Sequence, residues 1–206
     1  MYTVTYKGRF AFIKPWTAVR DGETFSQQFL TPSIIEGIEK KLFPEMLKEV
    51  GIHKILRHKL SYDCMDLQQE VTQSRGWKSI QIRKVVAPHD TSLKEIYIEK
   101  QKGFTRETSI LKRNVLLNPS LILAFTSAED AEHAAKQHIC LCRNEDILLP
   151  LPNVLEISET EFNQLKGFEF RIGKTIQSFM VGFNRYQKCQ PMNGWLEING
   201  QSLTNE

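Results

Sequence analysis

The sequence has no apolar run near the roughly 20 residues that a membrane-spanning helix needs, and its first residues lack the apolar segment of a signal peptide. Four cysteines in 206 residues are too few for a disulfide scaffold, so we expect free thiols in a reducing compartment. The absence of repeats and of low-complexity segments excludes solenoids and long linkers. These absences predict a cytoplasmic protein without a membrane partner.

Net charge is also small. Twenty-seven Lys and Arg against 24 Asp and Glu give a formal charge of +3, which by itself does not indicate a nucleic-acid binder. Hydrophobic residues make up 41% and charged residues 25% of the chain, as in ordinary globular proteins. The length fits one large domain, or a core domain with a smaller appendage.

The common catalytic motifs are missing. There is no GxxxxGK[ST] loop, no GxSxG turn and no HExxH helix. The run His138–Cys142 offers thiol and imidazole ligands, but its Cys-x-Cys spacing lacks a second Cys or His pair, so we expect no metal and no cofactor. His58, Lys59 and Tyr62 are the residue types of a metal-independent ribonuclease, yet on a strand Lys59 points away from the other two. No catalytic residue is therefore predicted.

The pattern of apolar residues predicts alternating strands and helices. Tyr2–Ile13 alternates as a strand, with Gly8 where another backbone approaches closely. A helix is expected from Thr31 as cap and Pro32 as first residue, with capping-box spacing at Ser33–Glu36 and a kink at Pro44. Gly37 inside this helix hints at a close approach by backbone or ligand. The other expected elements are strands at Ile52–Tyr62, Leu93–Ile98, Ile110–Phe125 and Ile139–Cys142, and a helix at Ser127–Gln137.

This order predicts an α+β fold, a ferredoxin-like (RRM-like) βαββαβ core with an inserted β-hairpin thumb and a β-rich C-terminal extension. We expect the core domain at residues 1–146, the thumb at about 64–92 and the extension at 147–206.

The positive charge is concentrated in one segment. Residues 75–113 contain ten basic and four acidic residues, a formal +6, whereas the rest of the chain carries −3. Such asymmetry is typical of a polyanion-binding protein, although it also suits a solvated, lysine-rich face. Two runs in it, Ser74–Lys78 around Trp77 and Lys102–Arg106 around Phe104, combine cations, a glycine and an aromatic ring. These are the residue types that bind single-stranded RNA.

Several short motifs, in order along residues 1–152, resemble a known family. Gly8–Phe12 followed by Phe29–Ser33 and Gly37 is similar to a glycine-aromatic first strand and a "PTPSAxxGIL" helix start. Arg106–Lys112 looks like a "QR…LrdV" strand, and Leu141–Glu145 looks like an "LGxRE" turn with Cys142 and Asn144 as departures. The family is the small RAMP-type subunit of type I CRISPR Cascade complexes, the fifth Cas family.

The resemblance implies an RRM-like domain with a thumb and a set of partners. These are the 5′ handle of CRISPR RNA, the repeating backbone subunit of Cascade, the large subunit and, through the latter, target DNA. One branch of the family also cuts precursor RNA with tyrosine, lysine and histidine. The matching positions here are Phe43 and Glu132–His133, so the resemblance implies a non-catalytic subunit.

We therefore expect an RNA-binding subunit of a ribonucleoprotein that acts in antiviral defence. Its expected RNA-binding residues are Lys14, Arg20, Ser33, Arg75, Trp77, Lys78, Arg83, Lys84, Lys102, Arg106 and Arg143. The contribution of Ser33 and Ile34 rests on free N–H groups at the helix start, which favour a phosphate. The alternatives are a CRISPR RNA-processing endoribonuclease of the same family and a ferredoxin-like scaffold that binds only protein.

Overall fold

The structure, a computed structural model, describes residues 1–14, 23–73, 108–184 and 189–200. The first elements are β1 (Tyr2–Lys7), β2 (Phe10–Ala11), β3 (Glu23–Phe25), α1 (Pro32–Leu42), a 3₁₀ helix (Pro44–Lys48), β4 (Ile55–Ser61) and β5 (Met65–Gln73). After them come β6 (Thr108–Leu117), β7 (Ser120–Phe125), α2 (Ala128–Ala134), β8 (Ile139–Cys140), β9 (Ile147–Pro150) and β10 (Leu155–Glu156). The last are α3 (Glu159–Gln164), β11 (Gly167–Ile172), β12 (Phe179–Asn184) and β13 (Gln190–Asn199). The prediction of an α+β protein is confirmed.

The chain divides into two compact units. The first comprises Met1–Ala18, Phe25–Asp66 and Asn114–Glu206, and the second comprises Val19–Thr24 and Leu67–Arg113. In the second unit, Arg113 Nε donates to Glu70 Oε2 at 2.6 Å. The thumb was expected at about 64–92, and its residues from 74 onward lie outside the described ranges, so the thumb stays a prediction, as does the domain boundary at 146.

A large antiparallel sheet forms the centre of the first unit. β1 pairs with β7 from Tyr2 opposite Phe125 to Lys7 opposite Ser120, and β7 pairs on its other edge with β4. β9 and β10 both pair with β1 along its other edge, opposite β7. Across the described strands the order is β12-β13-β11-β4-β7-β1-β9-β8, with β10 beside β1.

A short strand follows α2 where the sequence pattern predicted one, but it is not the strand that pairs with β1. Ile139–Cys140 forms the short edge strand β8, and the next strand, β9, is the one that pairs with β1. The chain reverses between them because the Leu141 N–H donates to Asp146 O and the buried Asp146 carboxylate accepts the Arg143 N–H. This turn carries β9, rather than β8, to β1.

Helices α1 and α2 cover one face of the sheet. Val4, Tyr6 and Phe125 are fully buried from the sheet side, and Tyr6 Oη donates to Ala134 O in α2 at 2.8 Å. From α1, Ile35, Ile38 and Leu42 pack into this core. The α-helix ends before Pro44, which lacks an N–H donor, and Val50 beyond it is 54% exposed.

A close approach by another part of the chain was expected at Gly8 and at Gly37, and the structure shows it only at Gly8. A Cβ built on Gly8 would lie 2.8 Å from Ile147 O of β9, so β1 and β9 meet there only because position 8 has no side chain. Apart from the backbone of α1 itself, no atom of the described residues lies within 4 Å of a Cβ built on Gly37, so the expected backbone approach is absent there. No helix in the described ranges is long and apolar enough to cross a membrane.

Candidate functional site

Three of the predicted RNA-binding residues lie in the described part of the chain. They are Lys14, Ser33 and Arg143. The remaining eight lie outside it: Arg20, Arg75, Trp77, Lys78, Arg83, Lys84, Lys102 and Arg106. Lys14 is exposed just after β2, and Ser33 is exposed in the first turn of α1.

Arg143 is anchored in the turn between β8 and β9. Its Nη2 lies 2.7 Å from the buried Asp146 carboxylate and its Nη1 lies 3.2 Å from Glu145. Its guanidinium lies 5.6 Å from the centre of the Phe12 ring, two residues before Lys14. The turn thus brings Arg143 beside the segment that carries Lys14, with much of its charge balanced by two carboxylates.

Helix α1 has Thr31 as cap and Pro32 as first residue, as predicted, but the hydrogen bonds at its start differ from the prediction. The N–H groups of Ile34 and Ile35 both donate to Thr31 O, at 3.0 and 3.1 Å, so the prediction of a free N–H for a phosphate is wrong for Ile34, and for Ser33 it stays a prediction. The predicted capping box is also absent, because Pro32 at the first helical position makes Thr31 the cap and places Ser33 inside the helix. Ser33 Oγ instead shares a hydrogen bond of 2.9 Å with Thr31 Oγ1.

The two positions matched to the RNA-cutting branch meet in space. The rings of Phe43 and His133 stack with centroids 5.4 Å apart and planes 27° apart. His133 Nε2 lies 3.1 Å from Leu42 O and 2.9 Å from the Gln137 amide nitrogen. Glu132 is exposed. The sequence-based match therefore located a real juxtaposition, with a phenylalanine at its centre.

A lysine that the sequence did not single out completes this cluster. Lys54 Nζ lies 4.2 Å from the centre of the Phe43 ring and forms ion pairs with Asp130 at 2.7 Å and Glu45 at 3.1 Å. The hydrogen bond with Asp130 is the main cause of the raised pKa of Lys54. This lysine is therefore a firmly protonated cation and a poor base. It comes from the loop before β4, and no spacing in the sequence connects it to His133.

The other histidine considered for catalysis is His58, in strand β4. His58 is buried on β4, and Tyr62 stacks on Phe168 with ring centres 5.8 Å apart. Lys59 points to the opposite face, where its Nζ donates to the carbonyls of Asn163 and Leu165 at 2.9 and 2.7 Å. The prediction that Lys59 turns away from His58 is confirmed.

A cleft of about 390 Å³ opens beside His58. Its apolar walls come from α1, from the start of β4 and from β11, with Trp195 of β13. Its polar residues are Arg57, His58, Glu159, Glu169 and Arg171. Burial lowers the pKa of His58 to about 4, so its imidazole is neutral at pH 7.

A charge network lies along one side of the cleft. Arg57 donates through Nε and Nη2 to the two oxygens of the buried Glu169 carboxylate, at 2.8 and 2.5 Å. Burial is the largest single effect and would raise the pKa of Glu169, but the hydrogen bonds and charge of Arg57, with the charge of Arg171, together lower that pKa. Arg171 contacts Glu169 at 3.3 Å and Glu197 at 3.0 Å. Sequence reasoning missed this network because its members are distant along the chain.

The predicted absence of a metal rested on the run His138–Cys142. Cys140 is half-buried with its Sγ 3.9 Å from Asn144 O, and Cys142 is exposed. Within the described ranges, no group of three or more His, Cys, Asp or Glu side chains is placed to hold a metal ion.

Comparison of the chain with protein-family models and with curated proteins found no match.

Proposed function

We propose that this chain is a non-catalytic RNA-binding subunit of a CRISPR-associated ribonucleoprotein, of the small RAMP-type class. In this role it holds the 5′ handle of a CRISPR RNA and contacts the repeating backbone subunit and the large subunit. The observation that carries the proposal is the way in which β1, β4, β7 and β9 are ordered in the sheet.

The strand order supports a ferredoxin-like core. Along the chain the elements follow as β1, α1, β4, β7, α2 and β9, and in the sheet the order is β4-β7-β1-β9 with every pair antiparallel. Each helix connects two strands that are not neighbours in the sheet, as in the split βαβ arrangement of that fold. Both helices pack on the same face of the sheet. A ferredoxin-like core is what the family resemblance implies, so this strand order supports the proposal.

An insertion with a basic sequence supports an RNA partner. The second unit, which includes Leu67–Arg113, interrupts the core between β4 and β7. Within it, residues 75–113 carry the formal +6 on a chain that is otherwise slightly acidic. Lysine and arginine that neutralise phosphates give RNA binding its affinity, and aromatic side chains such as Trp77 add stacking on bases.

The environment of His133 supports a non-catalytic role. General acid–base cleavage needs a group beside the histidine that exchanges a proton. The side chain stacked on His133 is Phe43, which has no such proton, and the nearby Lys54 is held as a cation by Asp130. His133 and Gln137 both lie within hydrogen-bonding distance of Leu42 O, which suits a role in joining the end of α1 to α2.

Co-purification with RNA tests the proposal. The tagged chain is expressed in its native host and purified, and bound nucleic acid is extracted and sequenced. We expect small RNAs that share one 5′ sequence, together with the backbone and large subunits. Protein that carries no RNA, in a complex with other proteins only, would favour a protein-binding scaffold and contradict the proposal.

A further inference from the structure

The cleft beside His58 plays no part in the proposed RNA-binding role. Its volume of about 390 Å³ falls within the range of pockets that hold small molecules or single side chains. Pro32 and Ile35 of α1 form one wall, and Phe170 and Ile172 of β11 form another. The cleft therefore has two apolar walls and is large enough for one aromatic group.

Among the described residues that line the cleft, His58 has a buried ring nitrogen without a hydrogen-bond partner. Its side chain lines the cleft and is only 7% exposed, and its Nε2 is buried without a hydrogen-bond partner among the described residues. Buried polar atoms without partners are rare in folded proteins, because each gives up its hydrogen bonds to water. Since none of the described residues supplies this partner, the Nε2 of His58 is available to a group from outside.

The charges around the cleft favour a neutral occupant. Arg57 is paired with Glu169 and lies 3.7 Å from Glu159, and Arg171 is paired with Glu169 and Glu197. The cations of the lining are thus balanced by carboxylates, and the Glu159 side chain is 72% exposed. A phosphate would have to break these pairs and approach the carboxylates. An RNA strand is therefore a poor occupant.

The mouth of the cleft favours a protein over a small molecule. Ile52, Leu56 and Ile172 line it and are 38%, 52% and 49% exposed. A small molecule inside the cleft would leave these aliphatic side chains in water. A protein surface around an inserted side chain would cover them, as the ring of residues around an interface anchor does.

We propose that the cleft receives a tyrosine side chain of a partner protein, with its ring against the apolar walls and its hydroxyl hydrogen-bonded to the His58 imidazole. A neutral imidazole has one donor and one acceptor nitrogen, and a phenolic hydroxyl both donates and accepts. Tyrosine therefore serves either tautomer of His58. Tyrosine is also among the residues most enriched as interface anchors. This inference goes beyond RNA binding and does not depend on it.

Two blocked amino acids that differ by one hydroxyl provide the test. N-acetyltyrosinamide and N-acetylphenylalaninamide are titrated into the full chain, and the ring resonances of His58 are followed by NMR. The tyrosine probe should bind roughly five- to tenfold more tightly, as one net hydrogen bond predicts. Equal affinities, or no saturable shift with either probe, would overturn the proposal.

A matched pair of variants places the binding in the cleft. Leu56→Asp introduces a charge at the mouth, whereas Leu155→Asp introduces the same charge at a residue of similar exposure, 55%, on β10. The first should abolish the shift and the second should preserve it; equal effects would overturn the assignment of the site. Because Leu56 is half exposed, this test does not depend on a variant of buried His58 folding correctly.

Two further measurements separate the other occupants. Uridine is titrated in the same way, and tighter binding of uridine than of the tyrosine probe would overturn the proposal in favour of a nucleobase. RNA retention by Leu56→Asp is measured beside the wild type and should be unchanged. Loss of RNA with Leu56→Asp would likewise contradict a protein-binding cleft, whereas RNA-free wild-type protein would contradict only the proposed RNA role.

Discussion

Phe43 and His133 lie 90 residues apart along the chain, yet their rings stack with centroids 5.4 Å apart. Phe43 is 2% exposed, so the ring that covers the histidine is part of the core. The relationship joins the end of α1 to α2. It places a side chain that cannot transfer a proton where a nucleolytic histidine would need one that can.

We predict that the isolated protein does not cut precursor CRISPR RNA. Purified protein is incubated in EDTA with a transcript that contains the repeat, because a metal-independent nuclease would still act there. The expected result is intact RNA on a denaturing gel. Cleavage at one site that disappears with His133→Ala would contradict the prediction and identify the chain as an endoribonuclease.

The buried Glu39 provides a prediction about stability. Its carboxylate accepts the N–H groups of His53, Lys54 and Ile55, with the shortest contact to each at 2.9, 2.5 and 2.8 Å. Glu39→Gln removes the negative charge that accepts these bonds and replaces Oε2, which accepts the His53 N–H, with an NH₂ group. We expect a loss of about 2–4 kcal/mol in the free energy of unfolding, since hydrogen bonds to a buried charged group are among the strongest.

Urea denaturation measures this loss, and Glu132→Gln is the matched control. Glu132 is exposed on α2, and the same substitution there should leave the free energy of unfolding unchanged within error. Equal losses at the two positions would show that Glu39 does not secure the loop before β4.

The pH dependence of stability tests the environment of His58. Its pKa is lowered from 6.5 to about 4, mainly by burial and further by Arg57 and Arg171, while Glu169 opposes the shift. The unfolded chain therefore takes up this proton at a higher pH than the folded protein does. Stability is fully present above about pH 6.5 and is lost as the pH falls toward 4, by an amount on the order of 3 kcal/mol from this group.

The measurement compares urea midpoints of the wild type and His58→Phe across this pH range. Other acidic groups, Glu169 among them, also contribute stability that is lost as the pH falls. The difference between the two proteins therefore isolates the contribution of His58. The wild type should lose stability more steeply than the variant between about pH 6.5 and 4. Parallel curves would mean that His58 is not buried as a neutral group.

Trp77 lies outside the described residues, and its role stays a prediction from the Arg-Gly-Trp-Lys run. Trp77→Ala should lower the affinity for single-stranded RNA by about 1–3 kcal/mol if the indole stacks on a base. Fluorescence anisotropy with a labelled RNA measures the change. Unchanged affinity with normal assembly would exclude the stacking role.

Sequence reasoning predicted well the structural features that depend on residues close together in the chain. Ser127 caps α2 and accepts the Asp130 N–H, and Pro44 separates α1 from the 3₁₀ helix, because both effects act within a few residues. Strands β11 and β12 lie within residues 147–206, which were expected to be rich in β-strands. Local propensities and caps therefore gave the order of the elements.

Contacts between distant segments escaped prediction. The position of β9 beside β1 depends on the turn closed by Asp146 and on the missing side chain at Gly8. The approach of Lys54 to Phe43 and the pairing of Arg57 with Glu169 likewise depend on tertiary packing. The sequence could place Phe43 and His133 together only through a family resemblance, since no pattern along the chain relates them.

The salt dependence of RNA binding tests the central claim most directly. Affinity for single-stranded RNA is measured over a series of salt concentrations for the wild type, for Lys84→Gln with Arg106→Gln, and for Lys48→Gln with Lys136→Gln as control. Each neutralised phosphate adds about 0.7 to the slope of log affinity against log salt. If residues 75–113 bind the phosphates, the first pair should flatten the slope by somewhat more than one unit, and the exposed control pair should leave it unchanged. Equal flattening by both pairs, or no measurable RNA affinity in the wild type, would contradict the account.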